Sequence, residues 1–340
     1  MANKKKHEPF KFADLFAGIG GMRFAFEAEG GECVLTSEID SSARITYGMQ
    51  SWKSKTQDHI SVNDVVELSK MSKKNIPNFD VLVAGFPCQP YSIAGLRQGL
   101  KDEKGRGQVF VSIIEILKKV RPKVFLLENV RGMLSHDGGE TIEFMIGQLE
   151  KLGQKKSVYK VLKPTVLNSM THGGVPQNRE RVFIVGFRND IDPTSFSWPE
   201  AIPVEIPLRN ILEKSGVPEK YYYTAAKYDC YSQIKKSVKS KNTAYQWRRT
   251  YVRENKSGVC PALTANMGSG GHNVPLVLVN DGIRKLTPWE CARLQGFDKY
   301  NFKIPSNLAD SILYHQFGNS VTVPLIQGIA KQIALCLKNQ

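Results

Sequence analysis

The sequence predicts an α/β protein: a mainly parallel sheet with helices on both faces, joined to a smaller loop- and strand-rich domain. Three observations carry this expectation. Short apolar runs alternate with helical patterns through the first 190 residues. Runs such as Val81–Ala84 and Val124–Leu127 are apolar at every position, as strands covered on both faces must be. Beyond Phe187, helical periodicity fades and prolines gather at 193, 199, 203, 207 and 218.

In order, Phe10–Leu15 reads as the first strand, followed by a Gly-rich turn. A helix follows near Gly21–Glu29, with Met22, Ala25 and Phe26 on one face. Cys33–Thr36 and Ser41–Met49 form the next strand and helix, and a third unit leads into Asp64 with a helix beyond. Strand Val81–Ala84, helix Val109–Lys119, strand Val124–Leu127 and helix Thr141–Leu152 come next, then strands near Tyr159–Leu162 and Val182–Phe187. The tail, Val323–Leu337, regains helical spacing and is expected to pack back on the first domain. The division is therefore 1–193, completed by a C-terminal helix at 312–340, with a second domain and hinge at 194–311. Sheets of this kind bind ligands at the carboxyl ends of their strands.

With 340 residues, 41% hydrophobic and 23% charged, the chain has the composition of a soluble globular protein of two domains. Its purely apolar stretches are too short to span a bilayer. The N-terminal Met-Ala-Asn-Lys-Lys-Lys-His-Glu lacks the apolar segment of a signal peptide. The expectation is a cytoplasmic protein with no membrane partner. Six dispersed cysteines without a CxxC, and six scattered histidines, predict neither a disulfide framework nor a metal site.

The net charge of +15 favours a polyanionic partner. Residues 220–256 concentrate it, with ten basic and two acidic side chains interleaved with eight aromatics. That composition suits phosphates plus stacked bases, and equally a solvated face over half-buried tyrosines.

Four motifs sit at strand ends. Asp14-Leu-Phe-Ala-Gly-Ile-Gly-Gly21 follows the first strand, where glycines let the backbone approach a ligand. Glu38 ends the next strand and can accept both hydroxyls of a ribose; Asp64 could bond an adenine amino group. Together they favour an adenosine-containing cofactor without separating NAD from S-adenosylmethionine. Gly85-Phe-Pro-Cys-Gln-Pro-Tyr-Ser92 places Cys88 between two prolines, as a nucleophile needs, followed by a Gly-rich loop at 93–107 able to close as a lid. The alternative for Cys88 is a buried structural thiol. Glu128-Asn-Val130 puts a carboxylate at the end of an apolar strand, where desolvation raises its pKa. Arg179 and Arg181, two apart on an incipient strand, are expected to point to one face; a surface ion-pair arrangement is the bland alternative.

This ordered series resembles the DNA (cytosine-5) methyltransferases of bacterial restriction-modification systems. It continues through Arg284-Lys-Leu-Thr-Pro-Trp-Glu-Cys-Ala-Arg-Leu-Gln-Gly296 and Gln316-Phe-Gly-Asn-Ser-Val321, and only about 195–283 falls outside it. That segment corresponds to the family's variable target-recognition region. The resemblance implies a Rossmann-like methyltransferase sheet and S-adenosyl-L-methionine as cofactor. It implies double-stranded DNA as substrate and a cytosine flipped out of the stack. Cys88 would attack C6, Glu128 would engage N3 and the exocyclic amine, Arg181 would bond O2, and Arg179 would brace the closed loop or a phosphate. Phe16, Gly18, Gly20, Gly21, Glu38, Ile39, Asp64, Asn319 and Ser320 would hold the cofactor, while Arg106, Arg248, Arg249 and Arg253 would meet DNA. The implied enzyme is monomeric, with a restriction nuclease as functional companion or none.

Two departures stand out. The family's Asp-x-Arg-Gly loop motif reads Asp102-Glu-Lys-Gly-Arg-Gly107 here, one residue longer, and position 39 is Ile where relatives often carry an aromatic. The family's tRNA-directed branch carries a Cys-Phe-Thr signature that this chain lacks. A silent DNA-binding regulator would not need Cys88, Glu128 and the two arginines together.

Overall fold

The computed structural model describes residues 9–54, 59–87, 108–204, 206–269 and 273–340. Five strands run parallel: β1 (Lys11–Leu15), β2 (Glu32–Ser37), β3 (Ile60–Val62), β4 (Val81–Gly85) and β5 (Val124–Val130). Three further strands, β6 (Tyr159–Val161), β7 (Thr165–Asn168) and β9 (Glu180–Arg188), extend the sheet antiparallel. The order is β3-β2-β1-β4-β5-β9-β6, with β7 also on β9. The mainly parallel sheet expected from sequence is present, but its final strands turn back. An apolar run specifies burial on both faces, not the direction of the neighbouring strand.

Alternation along the strands feeds two cores. Phe12, Val81, Val83, Val124 and Leu126 face one side, while Ala13, Leu82, Ala84, Phe125 and Leu127 face the other. On the first side lie α1 (Gly21–Ala28) and the long C-terminal helix Val323–Lys338, which pack on each other. The tail thus folds back on the sheet as its periodicity predicts. The second side is covered by α3 (Val65–Lys70), the helix Gln108–Val120 and the helix Glu140–Lys151. Between α1 and α3 runs α2 (Ser41–Gly48), whose N-terminus is capped by the Asp40 side chain.

The C-terminal helix expected at 312–340 is two helices, Asp310–Asn319 and Val323–Lys338. Together they make the stretch Asp310–Lys338, long and apolar enough to cross a membrane. Here that stretch is two helices separated at Ser320–Thr322, and Leu325, Ile326, Ile329 and Ile333 are buried in the protein's own core.

A second, four-stranded antiparallel sheet orders β11 (Val252–Glu254), β10 (Tyr245–Trp247), β13 (Leu276–Val279) and β14 (Gly282–Lys285). Tyr223, Ile234, Val238, Tyr245, Trp247, Leu276 and Ile283 form its core. The basic–aromatic window is therefore sorted by side. Tyr221, Tyr223, Tyr245 and Trp247 are buried and pack the fold, the second of the two readings the composition allowed for these rings. Tyr251 is the window's exposed aromatic, at 58%, and all ten basic residues face solvent.

The helix Pro288–Leu294 is fixed beside this sheet by an ion pair with no exposure at either side chain: Arg284 Nη1 and Nη2 lie 2.8 and 2.6 Å from the two Glu290 oxygens. The Glu290 carboxylate also accepts the main-chain N–H groups of Thr287 and Glu213. Removing one partner strands a buried charge. Arg284→Leu is expected to lower stability by about 3–5 kcal/mol, measured by urea denaturation.

Candidate active site

The strand order reverses beside β1, between β1 and β4, and the switch point of such a sheet is where a cleft opens. A cavity of about 350 Å³ lies there. The turn after β1, the end of β2, the end of β4, the end of β5 and the loop after Asp310–Asn319 build its walls.

The turn after β1 supplies Phe16, Gly18 and Gly21 to the wall. Gly18 N–H donates to Glu38 Oε2 at 2.7 Å, and Asp40 N–H donates to Glu38 Oε1 at 2.8 Å. Two main-chain donors thus orient the half-buried carboxylate. Arg44, which sequence reading did not single out, donates to the carbonyls of Glu38 and Ile39 and fixes their turn. Ile39 lines the cavity with its side chain 70% exposed, an apolar platform beside a carboxylate. Asn319 and Ser320 close the opposite wall.

Two expected cofactor contacts are placed elsewhere. Gly20 lies outside the cavity wall; it has φ +90°, and a Cβ there would meet the Trp52 ring at 2.2 Å, so its glycine serves the turn and this packing. Asp64 is also off the wall, and its carboxylate caps α3 through Val66 N–H. Asp14, the first residue of the turn motif, is fully buried with neither carboxylate oxygen hydrogen-bonded. Burial pushes its pKa up to about 8, with Arg23 opposing.

Glu128, at the end of β5, is 8% exposed. Arg181, entering β9 on the neighbouring strand, places Nε 3.1 Å from Glu128 Oε1. Burial raises the carboxyl pKa, while Arg181 and Arg179 oppose the rise without cancelling it. Asn129 donates to the carbonyl of Phe86 at 3.0 Å, tying the end of β5 to the segment Gly85-Phe-Pro87, which also lines the cavity. Cys88, Arg106 and the loop at 93–107 lie outside the described residues.

Arg179 is corrected most. It borders the cavity, as Arg181 does, yet its guanidinium does not reach for a phosphate. Buried at 2% exposure, it donates to the carbonyls of Leu263, Gly318 and Ser320. Gln177 holds the same residue from the other side, its Oε1 accepting Leu263 N–H. A Cβ at Gly318 would meet the Thr264 carbonyl at 2.2 Å, so only glycine lets these two segments touch. His315, also missed, lines the cavity and bridges the same parts: Nδ1 pairs with the Ala265 carbonyl at 2.8 Å and Nε2 with Asn319 Nδ2 at 2.9 Å. The carbonyl accepts, so Nδ1 carries the proton and Nε2 accepts from the Asn319 amide. The only sequence signal for His315 was its place next to Gln316-Phe-Gly.

The wall fits an adenosine-containing methyl donor. Glu38 is oriented to accept a sugar diol, Ile39 and Phe16 offer apolar surface to a purine, and Asn319 and Ser320 supply polar groups opposite. Glu38→Ala should weaken S-adenosyl-L-methionine binding at least about 10- to 100-fold, the value of one hydrogen bond to a charged acceptor. Duplex affinity without cofactor should be unchanged. Calorimetry showing unaltered cofactor affinity would refute the placement.

Comparison with known proteins agrees with this geometry. The family described as C-5 cytosine-specific DNA methylase matches residues 10–335. Type II methyltransferase M.Bsp6I of Bacillus sp. (strain RFL6) is 42% identical over 325 residues, covering 95% of this chain and 98% of its own. Type II methyltransferase M.HpaII of Haemophilus parainfluenzae is 38% identical, covering 99% and 93%. The crystal structure of S. pombe Dnmt2 methyltransferase superposes with a TM-score of 0.68 over 97% of this chain and 99% of that one, at 17% identity, and so shows the common fold. The chain belongs to the C-5 cytosine-specific DNA methylase family and is a DNA (cytosine-5) methyltransferase with S-adenosyl-L-methionine as its methyl donor.

Proposed function

We propose that the enzyme methylates C5 of a flipped-out cytosine within a specific duplex sequence through a covalent Cys88–C6 adduct. The observation that supports this most is the desolvated Glu128 carboxylate, held at 3.1 Å by Arg181 on the wall of the same cavity that carries the Glu38 turn. Inside a stacked duplex the base edge is out of reach, so the cytosine must leave the helix. The Cys88 thiolate forms a bond to C6, and the ring electrons move toward N3 and O2. Glu128 meets that charge with a proton or hydrogen bond at N3, and Arg181 meets it at O2. C5 is then nucleophilic; S-adenosyl-L-methionine, when bound, supplies the electrophilic methyl group. Loss of the C5 proton restores the double bond and expels the Cys88 thiolate. Phe16, Gly18, Gly21, Glu38, Ile39, Asn319 and Ser320 hold the cofactor; Arg179 braces the Leu263 and Gly318–Ser320 segments.

Residues 194–311 act as recognition region and hinge. Arg248 and Arg249 form the tip of the β10–β11 hairpin and Arg253 follows on β11; their exposure supports contact with DNA. Arg106 adds a phosphate contact from the loop after Cys88. The enzyme works as a cytoplasmic monomer and protects host DNA against a companion restriction nuclease.

A labelled-methyl assay on duplex DNA, single-stranded DNA and bulk tRNA tests the substrate class. Label on duplex DNA, with bisulfite sequencing of DNA from expressing cells showing one short recurring site, is the expected result. Label on tRNA alone would overturn it.

A further inference from the structure

Three ammonium groups gather beside the helix Asp310–Asn319. Lys285, at the end of β14, is half-buried between two tyrosines, with Nζ 5.6 Å from the Tyr221 ring centre and 5.7 Å from that of Tyr314. Lys220 Nζ lies 5.0 Å from the Tyr221 ring centre as well, and Lys227 donates to the Lys220 carbonyl at 3.3 Å. One carboxylate answers them: Asp310, 2.8 Å from Lys220. Among the described residues, no carboxylate stands within 4.0 Å of Lys227 or Lys285.

A half-buried ammonium beside two like charges is costly unless an anion completes the group. Burial lowers the Lys285 pKa; Asp310 opposes the fall, and Lys227 and Lys220 add to it. The position is informative as well. Tyr314 supports Lys285 and also touches the 264–269 segment, since a Cβ on Gly268 would meet it at 2.8 Å. The next residue, His315, lines the cavity.

We propose that Lys220, Lys227 and Lys285 bind a backbone phosphate of the DNA duplex and set the register of the duplex against the cavity. This rests on the duplex being the substrate. An ammonium group is a point charge without the paired donors that read a base edge, so the contact positions the duplex and does not read its sequence.

The test is the salt dependence of binding, by wild type and by Lys227→Gln and Lys285→Gln, to a random-sequence duplex and to the duplex site found by bisulfite mapping. Each substitution should lower the slope of log affinity against log salt by a share of the roughly 0.9 that one phosphate contributes, with equal fractional losses on both duplexes. Lys285→Arg should retain the wild-type slope, and cofactor affinity measured on each variant reports that it is folded. Unchanged slopes in both Gln variants would overturn the proposal, as would a loss confined to the mapped site. Failure of wild type to bind any duplex would instead overturn the function on which it rests.

Discussion

Cys88→Ala is expected to abolish methyl transfer while duplex binding survives. Without a nucleophile at C6, C5 of cytosine stays part of an aromatic ring and is a poor acceptor for a methyl group. Activation by an enzyme thiolate is the step that no other group of this site can supply, so residual turnover should fall below detection. The arginines and lysines proposed to meet phosphates are untouched, and so are Glu38 and Asn319, proposed to hold the cofactor. Filter binding with labelled duplex, beside a labelled-methyl assay, separates the two effects. Substantial turnover by the variant would remove Cys88 from the reaction.

Glu128→Gln is expected to reduce turnover by about 10²- to 10⁴-fold, the usual worth of a positioned general acid. The amide keeps the volume and can still accept from Arg181, but it cannot yield a proton to N3. Burial raises the Glu128 pKa, so the protonated form persists to higher pH than in an ordinary carboxyl group. As pH rises through that raised value the acid is lost and turnover should fall. Gln carries no such proton, and the alkaline limb due to Glu128 should be missing from its pH profile. Near-normal turnover, or an unchanged alkaline limb, would make Glu128 a structural residue.

Much of this fold is legible in the residues because burial on both faces leaves a plain mark. Val81–Ala84 and Val124–Leu127 are apolar throughout and form β4 and β5, extended by one and three residues. The site is legible where a strand simply ends: Glu38, Pro87 and Glu128 all reach the cavity. What could not be read depends on partners distant in sequence. Arg179 looks like a surface cation until the carbonyls of Leu263, Gly318 and Ser320 are brought around it. His315 acquires its partners, Ala265 and Asn319, only once the recognition segment lies against the helix Asp310–Asn319. The aromatics between 220 and 256 were ambiguous because β10 is short, and Tyr245 and Trp247 become core only when β13 pairs with β10. Asp64 and Gly20 carry local duties as well, a cap and a turn, that a linear motif does not reveal.

The central claim is a covalent bond between Cys88 and a flipped cytosine, and trapping measures it most directly. A duplex carrying 5-fluorocytosine at the mapped site is incubated with the enzyme and S-adenosyl-L-methionine, then run on a denaturing gel. Fluorine at C5 cannot leave as a proton does, so the thiolate cannot be expelled. The account predicts a cofactor-dependent protein–DNA band with wild type, its cross-linked peptide containing Gly85–Ser92, and no band with Cys88→Ala. A band of equal intensity with Cys88→Ala, or a cross-link mapped to another residue, would contradict it.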